Sequence, residues 1–250
     1  MHRSVQKAGK LSASTRPADG FASSELERLF ALFSSHYDNV SYDRFLDDLA
    51  HKDEVIVLHD ADGRLQGFST LVVWPVTVDR KPVRIVFSGD TVIDHAYWGS
   101  SALAFEWLRI TGEIYARRPG VPLYWLLCSK SPRTYRYLSQ FYRTFYPDGV
   151  SSGTEREARI AAEVCAARFP ERYDRAANVV RSEPGSAFLR PEFAESRDAI
   201  LSRADIDHYK RLNPGHEQGD ELACVALISP ENHQPAARRR FERALEPVGA

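Results

Sequence analysis

The chain is poor in the residues that staple, ligate or anchor. Its 250 residues include three cysteines, Cys128, Cys165 and Cys224. They are far apart and form no CxxC pair, so neither a disulfide framework nor a zinc knuckle is indicated, and they read as reduced core thiols. The eight histidines show neither HxH nor HxxxH spacing and no acidic cluster joins them, which argues against a metal site. GxSxG, a P-loop and GxGxxG are all missing, which argues against nucleophile-elbow hydrolases, P-loop enzymes and dinucleotide-binding proteins. No sign of charge dominates. With 33 Lys and Arg against 34 Asp and Glu the net charge is −1, too even for a protein that coats nucleic acid or an anionic membrane. Long hydrophobic runs are also missing: the longest, Leu222 to Ile228, has seven residues, against the roughly 18–20 that cross a bilayer. No apolar stretch of signal-peptide length opens the chain, and a soluble, cytoplasmic protein is expected.

What is present alternates between helix and strand periods. Residues 1–20 hold almost no large apolar side chain and are expected to be a disordered tail. Ser23 and Ser24 precede Leu26, Leu29, Phe30, Leu32 and Phe33, and Ser41 precedes Phe45, Leu46 and Leu49, so two amphipathic helices are predicted. Glu54–His59, the turn at Asp60–Gly63 and Leu65–Trp74 predict a β-hairpin. A strand follows from about Val83 to Ile93, a helix from Gly99, a buried strand over Leu123–Cys128 and a Tyr-rich helix over 132–146. The composition then shifts. Thr154 and Glu157 suggest a capping box for a helix through Phe169, followed by a weak strand near 178–181, a short helix near 204–212 and a strong strand over 221–228. That last strand is apolar on both faces and needs an existing sheet to cover it. We therefore expect one domain over 21–230, with a core at 24–147 and an extension at 151–230. A basic helix or tail follows at 231–250, read as solvated despite Arg238, Arg239, Arg240 and Arg243.

Three segments carry groups suited to chemistry. Ser88, Gly89, Asp90 and Thr91 put polarity inside a sheet strand, where polar groups need partners or a ligand, and the glycine marks a bulge or a close approach. Gly99, Ser100 and Ser101 sit where a helix begins, so unpaired amides and the dipole favour an anion. The bland alternatives are a bent edge strand, an Asp–Arg pair and an ordinary cap. The second segment, Cys128 to Tyr135, follows a strand's carboxyl end, where open sheets place ligands; it offers Ser129, Lys130, Arg133, Thr134 and Tyr135. The third, Asn213 to Glu221 with His216, is explained by its turn residues.

The order of elements, with the loop Trp98-Gly-Ser-Ser-Ala-Leu103 between strand and helix, resembles the GNAT (Gcn5-related N-acyltransferase) superfamily over about residues 24–147. The stretches FSGDTVI, YWG and YWLLCSK are similar to divergent bacterial GNAT-like proteins. The resemblance implies an α/β fold of the mixed-sheet, α+β kind with splayed central strands. It also implies an N-acyltransferase that moves an acyl group directly from a thioester to an amine of a small molecule or peptide. The donor would be acyl-CoA or an acyl carrier protein, a long chain included, with no metal and no nucleic-acid partner. Trp98, Gly99, Ser100 and Ser101 then match the loop that holds pyrophosphate, and Lys130 or Arg133 would attract donor phosphate. Asp90 is the candidate base and Tyr135 the candidate acid. Amides around Thr91, Val92 and Ile93 would polarise the carbonyl. A non-catalytic binding module using the aromatic helix Tyr135–Tyr146 and the basic C-terminal helix is the alternative.

Overall fold

The first strand lies where composition argued for no structure. In a computed structural model of the chain, which describes residues 10–148, 154–190, 193 and 203–245, β1 (Ser12–Pro17) pairs antiparallel with β3 (Glu54–His59), from Ser12 opposite His59 to Pro17 opposite Glu54. The expectation of a disordered 1–20 tail is corrected here, and residues 1–9 lie outside the described ones. An edge strand needs only one ladder and a few side contacts. Leu11 is buried, Ala13 packs beside it, and the Thr15 hydroxyl donates to Glu106 at 2.7 Å.

The predicted helices follow as α1 (Ser23–His36) and α2 (Tyr42–Ala50). Glu25 accepts the Ala22 N–H at 2.9 Å at the start of α1, and the Ser41 hydroxyl caps α2 by accepting the Arg44 N–H at 3.3 Å. Between them β2 (Tyr37–Asp38) pairs with β9 (Phe188–Leu189). The hairpin of β3 and β4 (Leu65–Val78) leads into β5 (Lys81–Ile93), α3 (Ala102–Arg117), β6 (Leu123–Ser129) and α4 (Pro132–Phe141). Ser131 caps α4 and Pro132 begins it. α4 is shorter than its apolar pattern because the chain beyond it is captured elsewhere. The Arg143 N–H donates to Asn232 O at 2.7 Å and the Tyr146 N–H to Val225 O at 2.8 Å.

The extension supplies α5 (Glu155–Arg168), β7 (Tyr173–Asp174), β8 (Val179–Val180), α6 (Arg203–Leu212) and β10 (Glu221–Ile228). Thr154 precedes α5 without a side-chain cap, so the expected capping box does not form. The main sheet runs β1-β3-β4-β5-β6-β10-β8-β7, and only β5 and β6 are parallel. β10 lies between β6 and β8, so both its edges are paired, and its alternate residues, Leu222, Cys224 and Ala226 on one side and Ala223 and Val225 on the other, are buried in the two opposite cores, as its apolar sequence required.

One face carries α3, α4 and α7 (Pro235–Arg243) over Leu71, Val86, Trp125 and Leu127. The other carries α1 and α2 over Val55, Val57 and Phe68, and α5 over Ile85, Tyr124, Leu126 and Val225. The solvated C-terminal helix is also corrected: Phe241 is fully buried, with its ring 5.5 Å from Tyr115 of α3. Alternating cationic and apolar residues hid one packed stripe on a charged helix.

Candidate active site

Sheet geometry opens the site. β5 and β6 pair only from Arg84 opposite Leu123 to Ser88 opposite Leu127, yet β5 runs on to Ile93 and β6 to Ser129. On its other side β5 stays paired with β4, where Ser69 faces Thr91 and Leu71 faces Ser88. Gly89 and Asp90 therefore share one opposing residue, Thr70, and the extra residue is a β-bulge that bends and twists β5 away from β6. Only glycine fits at 89: a Cβ there would collide with Thr70 Oγ1 and stand 2.9 Å from Lys52 Cε. Ser88 closes the floor of the gap by accepting the Trp125 indole N–H at 2.9 Å. The notch between splayed central strands is in place. Such a parted pair of central strands is what the resemblance in the sequence implied.

A cleft of about 440 Å³ leads from this notch between α3, α4 and α7. Thr91, Val92 and Ile93 form its inner wall, and Trp98, Gly99, Ser100 and Ser101 its rim. Gly99 has φ +93°, a turn that a side chain would strain, and it brings the chain round into α3. The Trp98 indole N–H donates to Ile93 O at 2.9 Å, locking the loop to the end of β5. The Arg133 guanidinium stacks 3.4 Å from the Trp98 ring centroid. Among the described residues, the N–H groups of Leu103 and Ala104 in the first turn of α3 have no backbone partner, and Ala104 lines the cleft. Arg136 and Arg240 complete a basic mouth, the latter 3.2 Å from the Phe105 ring centroid.

Asp90 lies at the bulge, half-buried, beside Asp48, Lys130, Lys52 and Glu221. Burial first and the Asp48 charge second push its carboxyl up to about 6, against the pull of Lys130 and Lys52. Lys52 is held by Asp48 at 2.6 Å. Lys130 is not on the phosphate side of the cleft: its ammonium donates to Ala187 O at 3.3 Å and pairs with Glu221 at 3.5 Å. That corrects its expected role, because a residue just past the strand end projects to the face opposite the α3 helix start.

Tyr135 is also displaced from its expected place. Its ring is buried between Phe145 and Tyr209, and its hydroxyl donates to Pro147 O. The first turn of α4 turns it into the core while Arg133, Arg136 and Tyr137 face the cleft. Sequence reasoning missed His36 and Tyr37, which reach the cleft from the end of α1. Their only signal was a polar pair closing an amphipathic run. Burial lowers the His36 pKa, favouring the neutral imidazole.

The remaining candidates are structural. A hydrogen bond with Cys165 and burial push the Cys128 thiol up, away from the nucleophilic thiolate. In the Asn213–Glu221 loop the Asn213 amide donates to Asp220 O at 2.8 Å, and Asp220 pairs with Arg181 at 2.6 Å. Among the described residues no group of three His, Cys, Asp or Glu side chains is placed to hold a metal, and no helix is long and apolar enough to cross a membrane.

No family model matches the chain, and neither does any curated protein. Among solved structures it is similar to a conserved Enterococcus faecalis protein titled a probable N-acyltransferase, with TM-score 0.41 and 16% identity. That match covers 54% of this chain and 33% of the other, so the chain spans about a third of that protein. It is also similar to an Escherichia coli GNAT-family N-acetyltransferase solved with CoA (TM-score 0.36, 16% identity, 54% and 72% covered). A Trypanosoma brucei acetyltransferase gives TM-score 0.38 and 21% identity over 54% and 94%. The cleft's own residues carry the functional reading.

Proposed function

We propose that the protein is an N-acyltransferase of the GNAT type, which moves an acyl group from a phosphopantetheine thioester to an amine. The observation behind it is the parting of β5 and β6 beside the Gly89–Asp90 bulge, continuous with a cleft rimmed by the α3 helix start. The dimensions suit a thin pantetheine arm. Unpaired amides of Leu103 and Ala104 and the guanidinium groups of Arg133, Arg136 and Arg240 suit donor phosphate. Acyl-CoA and an acyl carrier protein share that chemistry, and acyl length follows from how much of the apolar wall the chain covers.

The chemistry is direct. The amine nitrogen bonds to the thioester carbon, and the carbonyl oxygen takes up negative charge against those backbone amides of Thr91–Ile93 that point to the β6 side, where the strands have parted. Once bonded, the nitrogen is acidic, and Asp90, poised at about 6, removes its proton. The C–S bond then breaks, leaving amide and thiol. No covalent enzyme intermediate forms, which agrees with the inert Cys128 thiol.

The test is unfolding of the whole protein with CoA, acetyl-CoA, palmitoyl-CoA and an acylated carrier protein, followed by thiol release with hydroxylamine as surrogate amine. A true donor at a hundred times its Kd adds about 2.7 kcal/mol of stability. Silence from every donor overturns the proposal. The aromatic side chains Tyr135, Phe141, Tyr142 and Phe241 are buried, which weighs against the binding-module alternative without removing the exposed arginines of the C-terminal helix.

A further inference from the structure

Resting on that acyl-transfer reading, we propose that the Tyr37 hydroxyl is the acid that protonates the departing sulfur. With Tyr135 bound to a carbonyl in the core, the tyrosine that both lines the donor cleft and feels the Asp90 charge belongs to the end of α1. Tyr37 lines the cleft together with Thr91–Ile93, the strand segment against which the thioester would lie. Asp90, Lys130 and Glu221 are near enough for their charges to act on its phenol. It therefore has the cleft and the candidate base both within its surroundings.

Its position is fixed from three directions. The ring stacks on Phe33 at 4.8 Å with an interplanar angle of 23°. Its backbone pairs with Leu189 in the β2–β9 ladder, and the Arg190 N–H donates to His36 O at 2.9 Å. Lys130 sits 6.0 Å from the ring centroid, held in turn by Glu221 and Ala187 O. Among the described residues the Tyr37 hydroxyl makes no hydrogen bond, unlike those of Tyr124, Tyr135, Tyr173 and Tyr209. The equally unpartnered Tyr142 hydroxyl is sealed in the core, whereas Tyr37 lines the cleft, where a substrate atom can meet it.

Electrostatics give it the right protonation state. Burial pushes the phenol up to about 12, with Lys130 drawing it down and Asp90 and Glu221 raising it. It carries its proton at neutral pH and is a donor, never a base. As the C–S bond breaks, its electron pair stays on sulfur and the Tyr37 O–H proton moves to that sulfur, giving the free thiol. The phenolate left behind lies beside the Lys130 ammonium, then recovers the proton that Asp90 took from the amine nitrogen. Thioester and amine become thiol and amide, and both side chains are reset without another reagent.

Tyr37→Phe is the first test, read with acetyl-CoA or palmitoyl-CoA, whichever the wild type turns over faster, and hydroxylamine. The expected result is a fall in kcat of about a hundredfold, with the Kd for CoA and the unfolding midpoint within about twofold and a degree or two of wild type. A fluorotyrosine at position 37 is the second test. It should restore turnover while moving the alkaline limb of kcat to lower pH, a shift that a merely structural ring would not produce. Unchanged kcat in Tyr37→Phe, or an unmoved alkaline limb in the fluorotyrosine protein, overturns the assignment alone. No transfer by the wild type from any donor overturns the acyl-transfer reading and this assignment with it.

Discussion

Asp90 is a carboxyl group in a place that favours its neutral form, and that has opposite consequences for stability and rate. Its folded value of about 6 lies above the ordinary aspartate value, so the folded state holds a proton that the unfolded chain releases. Stability from this residue is therefore intact below about pH 4 and declines as pH rises from about 4 to 6. Asp90→Asn should unfold like wild type at pH 4 and be more stable by about 2 kcal/mol above pH 6.5, as read by urea melts across pH. Transfer should behave in the reverse sense. Wild-type kcat/KM rises through an apparent pKa near 6, and the Asn variant loses at least about a hundredfold at pH 7.5. A wild-type rate in Asp90→Asn removes the residue from the chemistry. The sequence exposed this position because a carboxylate and a glycine interrupt an apolar strand. Tyr135 and Tyr37 were not separable in that way: each sits at a helix end, and which one faces the cleft depends on helix phase and, for Tyr135, on a partner distant in the chain, Tyr209, while Tyr37 stacks on Phe33 one turn back.

Elements are legible in this chain where burial imposes a period. α1, α2, the β3–β4 hairpin, β5, β6 and β10 follow their apolar patterns because each presents a face to the core. β1 escaped because an edge strand with small polar side chains has little burial to advertise, and α7 because one buried stripe was diluted by arginine. A contact that no pattern reveals holds the two halves of the site together. Arg84 on β5 is buried, and its guanidinium donates to the Ile114, Arg118, Val121 and Tyr115 carbonyls at 2.6, 2.8, 3.1 and 3.4 Å. These are carbonyls at and just beyond the C-terminus of α3, the negative end of its dipole. One side chain thus ties the strand that bears Asp90 to the helix whose other end rims the cleft. Arg84→Met leaves the buried Ile114 carbonyl and three partly buried ones without this donor and should cost about 3 kcal/mol in a denaturant melt. Arg84→Lys should recover only part, because an ammonium is a point charge and not a fork. If the Met variant melts like wild type, this anchor does not hold α3.

At the scale of the molecule the balanced charge is misleading, because its distribution is not even. Residues from three separate elements, Arg133 and Arg136 of α4, Arg240 of α7 and the first turn of α3, converge on one cleft mouth. The convergence exists only because the C-terminal helix folds back onto α3, with Phe241 as its buried anchor. Arg240 is exposed and stacks on the half-exposed Phe105, so its removal should move the unfolding free energy by no more than about 0.5 kcal/mol. Donor binding should respond instead. An anionic donor is drawn by charges near the surface, whose reach falls from about 14 Å at 50 mM salt to under 6 Å at 300 mM. The wild type should therefore bind CoA several-fold more weakly at the higher salt, and Arg240→Ala should weaken binding at 50 mM while flattening that salt dependence. Calorimetric titration of both proteins at the two salt concentrations measures both effects. Equal affinities and equal salt slopes for the two proteins would place the donor's phosphates away from this mouth, and the cleft would then have to be entered from the Tyr37 end.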